Sequence, residues 1–107
     1  MSPSAQIAVE RKGNAIVAHV NGEVDMTNSS YVGEELTRSV PNDVVHLVVD
    51  LSGTRYIDSA GIELLFDLSR RLARRRQVLR LVLPSGSPLR RVLALTEVEK
   101  ARRSIGG

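Results

Sequence analysis

Asp25, Asp58 and Ser59 are the residues whose types and spacing best suit chemistry at a site. Asp25 lies in the loop after one strand-like run and Asp58 ends the loop after another, while Asp58-Ser59-Ala60-Gly61 opens a helical pattern. A serine at a helix start can cap free backbone N–H groups, attack a carbonyl if a histidine takes its proton, or accept a phosphoryl group. Either Asp58 or Ser59 can supply the cap, worth about 1 kcal/mol. Neither completes a capping box, because Gly61 and Ile62 stand where Glu or Gln belongs. Acyl transfer fails on geometry. Of the two histidines, His19 lies inside a predicted strand, and His46 comes early in its strand, near the sheet edge opposite Ser59. Asp25, Asp50 and Asp58 lack the ligand spacing of a calcium loop, and no metal is expected. Gly53, Gly61 and Gly86 do not form a phosphate-cradling loop. With no cysteine, thiol catalysis and disulfides are excluded. No cofactor and no enzymatic activity are expected.

Several elements must position these residues. Ile7 and Val9 alternate with more polar neighbours, which predicts an edge strand over about 5–11. Lys12-Gly13-Asn14 predicts a turn into an antiparallel second strand over about 15–20, followed by a loop over 21–28. Val32, Leu36 and Val40 have helical spacing, with Thr27 or Asn28 as cap, over about 28–39. Residues 44–51 read as a strand apolar on both faces, as for a central strand covered by helices. Residues 52–58 read as a loop. A longer helix over about 59–76 buries Ile62, Leu65, Leu68 (or Ser69) and Leu72, and turns Glu63, Asp67, Arg70, Arg71 and Arg74 outward. A strand over 78–83 ends at Pro84, and Ser87-Pro88 opens a third helix carrying Leu89, Val92, Leu93 and Leu95.

The order β-β-α-β-α-β-α predicts an α/β fold: a mostly parallel four- to five-stranded sheet with an antiparallel edge strand and helices packed against it. In such a sheet the loops at 21–28 and 52–58 leave the same edge, where partners dock, so Asp25, Asp58 and Ser59 are expected to be neighbours.

The chain has 107 residues, the size of one domain, with 25% charged and 42% apolar side chains. No apolar run reaches transmembrane length, and the N-terminus lacks a signal-peptide layout. A cytoplasmic location without membrane contact is expected. The net charge is +3, with Arg70, Arg71, Arg74, Arg75, Arg76 and Arg80 crowded together and Arg90, Arg91, Arg102 and Arg103 following. The plain reading is a solvated helix face. With aromatic residues at 3% there is no stacking platform for single strands, and no direct nucleic-acid contact is expected. Thr27, Ser29 and Ser30 read as capping or solvated residues rather than second phosphosites.

Four segments together carry a resemblance. Gly22-Glu23-Val24-Asp25, Asp50-Leu51-Ser52, Ile57-Asp58-Ser59-Ala60-Gly61-Ile62-Glu63-Leu64-Leu65 and Ser85-Gly86-Ser87-Pro88-Leu89-Arg90-Arg91-Val92-Leu93-Ala94-Leu95-Thr96 resemble the STAS domain of bacterial anti-sigma-factor antagonists. The resemblance covers about 5–98 of one STAS domain spanning 1–107, with 99–107 expected to be frayed or truncated. Glu97 stands where the family commonly has glycine.

The resemblance implies a partner switch. The antagonist binds an anti-sigma factor that is a serine kinase, which frees a sigma factor. The kinase phosphorylates the antagonist's serine, here Ser59, and a serine phosphatase reverses the mark. Asp25 and Asp58 match the family's flanking aspartates. The expected partner surface comprises Asp25, Asp58, Ser59, Gly61 and Glu63, with Arg70 and Arg74 at its rim. A homodimer is compatible with it. A STAS subunit of a membrane lipid transporter, or an unphosphorylated scaffold, is the alternative role on the same fold.

Overall fold

The computed structural model describes residues 4–84, 86–87 and 89–90. Five strands and two helices follow one another: β1 (Ala5–Lys12), β2 (Ala15–Val24), α1 (Ser29–Arg38), β3 (His46–Asp50), β4 (Thr54–Ile57), α2 (Ser59–Arg74) and β5 (Val78–Val82). The predicted third helix begins as expected, with Leu89 and Arg90 helical and the Leu89 N–H donating to Ser87 Oγ at 3.2 Å. The rest of that helix, and the expectation for 99–107, lie outside the described residues.

The sheet has the order β1-β2-β3-β5, with β4 joined to the far end of β2. β1 and β2 are antiparallel, as their tight turn at Gly13 requires, whereas β2–β3, β3–β5 and β2–β4 are parallel. This is the mixed sheet with an antiparallel edge strand that the element order predicts.

One face of the sheet meets both helices. Ala18, Val20, Leu47, Val49 and Leu81 on the strands form a single core with Val32 and Leu36 of α1 and Leu65, Leu68 and Leu72 of α2. Full burial of one such side chain contributes about 1.5–3 kcal/mol, so this stripe outweighs any single cap in holding α2 in place. The helix-period reading of α2 holds for Leu65, Leu68 and Leu72, while Ile62 is only half-buried.

The strand over 44–51 differs from expectation. Buried Leu47 and Val49 alternate with half-buried His46, Val48 and Asp50. Among the described residues, both helices lie on the Leu47–Val49 side. The opposite face carries Val17, His19, Val48, Asp50 and Arg80, in register across β2, β3 and β5.

Two boundaries also change. β2 runs on to Val24 instead of ending near residue 20, and the segment read as a loop over 52–58 contains β4. The causes are linked. One edge of β2 serves β3 over Ala15–His19 and then β4 over Gly22–Val24, with a register shift between Gly22 and Glu23. Gly22 has φ +107, and a side chain there would collide with the Ser4 carbonyl. Only glycine therefore lets β2 turn toward β4 while staying against β1. Thr54 Oγ1 donates to the Val20 carbonyl at 2.7 Å and the Gly22 N–H donates to the Gly53 carbonyl at 3.0 Å, which fastens the junction.

The arginine-rich segment does not form one helix face. Arg70 pairs with Asp67, Arg75 donates to the Val40 carbonyl and Asn42 Oδ1, and Arg80 belongs to β5. Gln77, which is buried, holds the α1–β3 connection through bonds from Nε2 to the Pro41 and Val44 carbonyls at 2.9 and 2.8 Å.

Candidate functional site

Asp58 settles the question of the cap. It occupies the N-cap of α2 with extended backbone, and its Oδ1 accepts from the Ala60 and Gly61 N–H groups at 2.9 and 3.1 Å. Its other oxygen, Oδ2, accepts from the Met26 N–H at 3.2 Å. One carboxylate thus ties the start of α2 to the loop after β2. The backbone adds a second tie, because the Asp58 N–H donates to the Val24 carbonyl at 3.1 Å.

Ser59 is the first residue of α2 and is exposed. Among the described residues, no hydrogen bond engages its hydroxyl. The fold therefore leaves this oxygen accessible at a helix N-terminus, where backbone N–H groups and the helix dipole favour negative charge.

The loop that carries Asp25 is internally braced. Asp25 Oδ1 accepts from the Thr27 N–H at 2.9 Å and from the Thr27 hydroxyl at 2.5 Å. The Thr27 hydroxyl bond, followed by the Thr27 backbone bond, holds the Asp25 carboxyl below its ordinary range, so it is ionised at neutral pH. Asn28 stands at the N-cap position of α1 but makes no side-chain cap bond. Its buried amide instead donates to the Glu23 carbonyl at 2.8 Å and accepts from the Asp25 N–H at 3.0 Å. The capping expectation for Asn28 thus gives way to a loop brace, since the folded-back segment places its side chain beneath the chain.

The structure brings Asp25, Asp58 and Ser59 to one rim, with exposed Glu63 one turn further along α2. Arg70 and Arg74 are exposed on the same helix, roughly 16 and 22 Å from Ser59 along its axis at 1.5 Å per residue. They lie toward the other end of α2 and are not gathered with the acids.

Gly61 requires a correction. It was expected to offer partner surface, but it is buried. A Cβ there would sit 3.0 Å from Ile57 Cδ1 and Val24 Cγ1, and closer still to Ile57 Cγ1. Its part is to let α2 descend onto β4 and the end of β2.

Sequence reasoning missed Met26, the most exposed large apolar side chain described here at 78%, directly between Asp25 and Thr27. Tyr56 on β4, paired in register with Glu23, is 54% exposed. An apolar side chain inside a polar turn segment was the available signal.

His19 and His46 stay away from Ser59. His19 lies on the sheet face opposite α2, between Asp50 and Glu10. His46, at the start of β3, accepts from Arg80 Nε at 3.4 Å. Among the described residues, no cluster of three or more His, Cys, Asp or Glu could hold a metal ion. None of the described helices is long and apolar enough to cross a membrane.

A mixed α/β sheet that presents an exposed serine at a helix start, beside two loops from the same sheet edge, defines a small α/β domain. The chain belongs to the STAS domain family, whose model matches residues 6–103. An anti-sigma factor antagonist from Mycobacterium paratuberculosis is similar in structure, with 26% identity and a TM-score of 0.77 over 92% of this chain and 82% of its own. The anti-sigma factor antagonist SpoIIAA in its unphosphorylated form gives 17% identity and a TM-score of 0.69 over 95% of this chain and 99% of its own. The Bacillus cell fate determinant SpoIIAA in its phosphorylated form gives 18% and 0.66 over 89% and 86%. No curated protein matches the chain.

Proposed function

We propose that this STAS domain is an anti-sigma factor antagonist of the cytoplasm. It binds an anti-sigma factor serine kinase and so releases a sigma factor. Phosphorylation of Ser59 by that kinase ends the binding, and a serine phosphatase restores it. The domain is a kinase substrate and has no catalytic role of its own.

The observation that carries this reading is the division of labour at the start of α2. Asp58 does the capping, so Ser59 is exposed and, among the described residues, no hydrogen bond engages its hydroxyl. A phosphate there adds about −1.5 to −2 charge. The helix terminus tolerates that charge, so the fold is kept. The ionised Asp25 and the carboxylate of Asp58 already flank the position, and the added charge acts on whatever docks against them. Like charges forced together at an interface cost several kcal/mol, and about 1.4 kcal/mol is tenfold in affinity, so a local change suffices for an on/off switch.

The test is incubation with ATP and each serine-kinase anti-sigma factor of the source organism, followed by mass spectrometry and binding measurements. One kinase is expected to bind the unmodified chain, to place a single phosphate on Ser59, and to release the product. Phosphorylation of a Ser59→Ala variant at the wild-type rate, or equal binding of the phosphorylated chain, would overturn the proposal.

A further inference from the structure

We infer that the groove between α1 and α2 is a second docking element, which receives a cationic amphipathic segment of the binding partner. The inference deepens the antagonist reading and rests on it for the partner's identity, though not for the chemistry of the groove.

The groove has a volume of about 390 Å³. On α2 its wall is Ala60, Glu63, Leu64, Asp67, Leu68 and Arg71, an unbroken stripe at helical spacing. From Ala60 to Arg71 the wall runs roughly 16 Å, three helical turns. On α1 it meets Gly33, where a Cβ would come within 2.9 Å of Leu64 Cδ1. The small residues Gly33 and Ala60 keep the helix surfaces low toward the Ser59 end, and Leu64 packs into the space that a side chain at 33 would need. Half-buried Leu64 supplies the apolar surface, with buried Leu68 packed beneath it, and an apolar strip flanked by acids is the layout that receives one face of an amphipathic segment.

Charge selects the occupant. Glu34 on α1 and Glu63 on α2 both line the groove and are both exposed, and among the described residues neither has an ion-pair partner. Their neighbours are engaged: Glu35 pairs with Arg38, and Asp67 with Arg70. Arg71 is the single cation of the lining against three carboxylates. An arginine- or lysine-bearing segment meets both unpaired carboxylates while its apolar face covers Leu64.

Ser59 itself does not line the groove. The two contacts therefore divide. The Ser59 rim is sensitive to phosphate, whereas the groove attracts cations whether or not the phosphate is present.

The probe is a synthetic amphipathic peptide of about twelve residues, long enough for three turns, with leucine on one face and arginine flanking it. It is titrated into the isotope-labelled chain and followed by amide NMR. The Gly33, Ala60 and Leu64 signals are expected to shift together. The affinity should fall roughly tenfold or more in the Glu34→Lys/Glu63→Lys double variant, and a peptide with glutamate in place of arginine should not bind. A Ser59→Asp chain should bind the cationic peptide at least as tightly. Both glutamates are exposed, and the amide spectrum reports folding; Glu34→Gln/Glu63→Gln gives the same comparison with a smaller loss. Shifts confined to another surface, no shift at millimolar peptide, or equal affinity in the double variant would sink the groove assignment. Failure of the antagonist reading looks different: the peptide binds the groove, yet no serine-kinase anti-sigma factor binds the chain. A kinase that binds wild type and double variant equally would refute the groove and leave the antagonist reading intact.

Discussion

The Met26 backbone N–H donates to Asp58 Oδ2 at 3.2 Å, while Oδ1 of the same carboxylate caps α2. This relationship ties the loop after β2 to the start of α2. Asp58→Ala removes the cap and the tie together and is expected to cost about 1–2 kcal/mol in urea denaturation. Asp58→Asn is expected to keep most of that stability, since asparagine caps as well as aspartate. Its amide must however set an N–H group toward the Met26 N–H if its oxygen is to cap. Faster hydrogen exchange at Met26, with near-normal stability, is the outcome to look for. Unchanged exchange would mean that the tie does not restrain the loop.

Met26 has a side chain with no evident task in the fold, standing beside the acids of the rim. Met26→Ala should leave the denaturation midpoint unchanged and weaken binding to the proposed kinase partner by roughly tenfold or more, as truncation of a central apolar anchor does. The binding is read by calorimetry. Equal affinity would place the interface centre elsewhere.

Gly61→Ala sets two effects against each other. Alanine is the better helix former by about 1 kcal/mol. The added Cβ collides with Ile57, and overpacking costs about 1–3 kcal/mol. The collision should win, so the variant is destabilised. Adding Ile57→Ala should make the glycine replacement far less harmful, which a double-mutant cycle by denaturation measures.

His19 bridges three strands on the sheet face away from the helices. Its Nε2 lies 3.0 Å from Glu10 Oε2 and its Nδ1 2.8 Å from Asp50 Oδ2. The bond to Glu10, followed by that to Asp50, raises the imidazole above its ordinary value of 6.5. Glu10 and Asp50 are correspondingly held low, by His19 first in one case and by Ser52 first in the other. The histidine's contribution to stability is thus fully present below about pH 6.5 and fades as pH rises through its elevated value. The carboxylates contribute above the ordinary carboxylate range, and that part fades as acid protonates them. Denaturation midpoints of wild type and His19→Gln should differ more at about pH 5.5 than at about pH 8.5. Lys12, near Glu10, and the His46–Arg80 pair on the same face remain in both proteins as an internal control. A difference independent of pH would contradict the clamp.

Much of this organisation was legible from periodicity. The stripe of Leu65, Leu68 and Leu72, the Val32–Leu36 pair and the turn at Gly13 each follow from local rules, so five elements emerge close to their observed bounds. β4 did not emerge, because four residues of Thr-Arg-Tyr-Ile carry too short a pattern and gain their strand character from β2. The extension of β2 through Asn21-Gly22-Glu23 was hidden for a related reason, since glycine and asparagine read locally as a turn. At the site, the closeness of Asp25, Asp58 and Ser59 followed from parallel topology alone. Which of Asp58 and Ser59 caps α2 depended on side-chain rotation. Gly61 misled because space around a glycine can be filled from the other side.

The shared edge of β2 has a consequence for how this chain tolerates change in length. Ser59 hangs from β4, and β4 is clamped to Gly22–Val24, independently of how the chain travels from Asp50 to Thr54. Extra residues inserted after Ser52 can loop out while the Ser59 hydroxyl stays where it is. Deleting a single residue between Tyr56 and Asp58 has the opposite effect: alternation along the strand inverts, the cap leaves its helix, and the serine turns away from the rim.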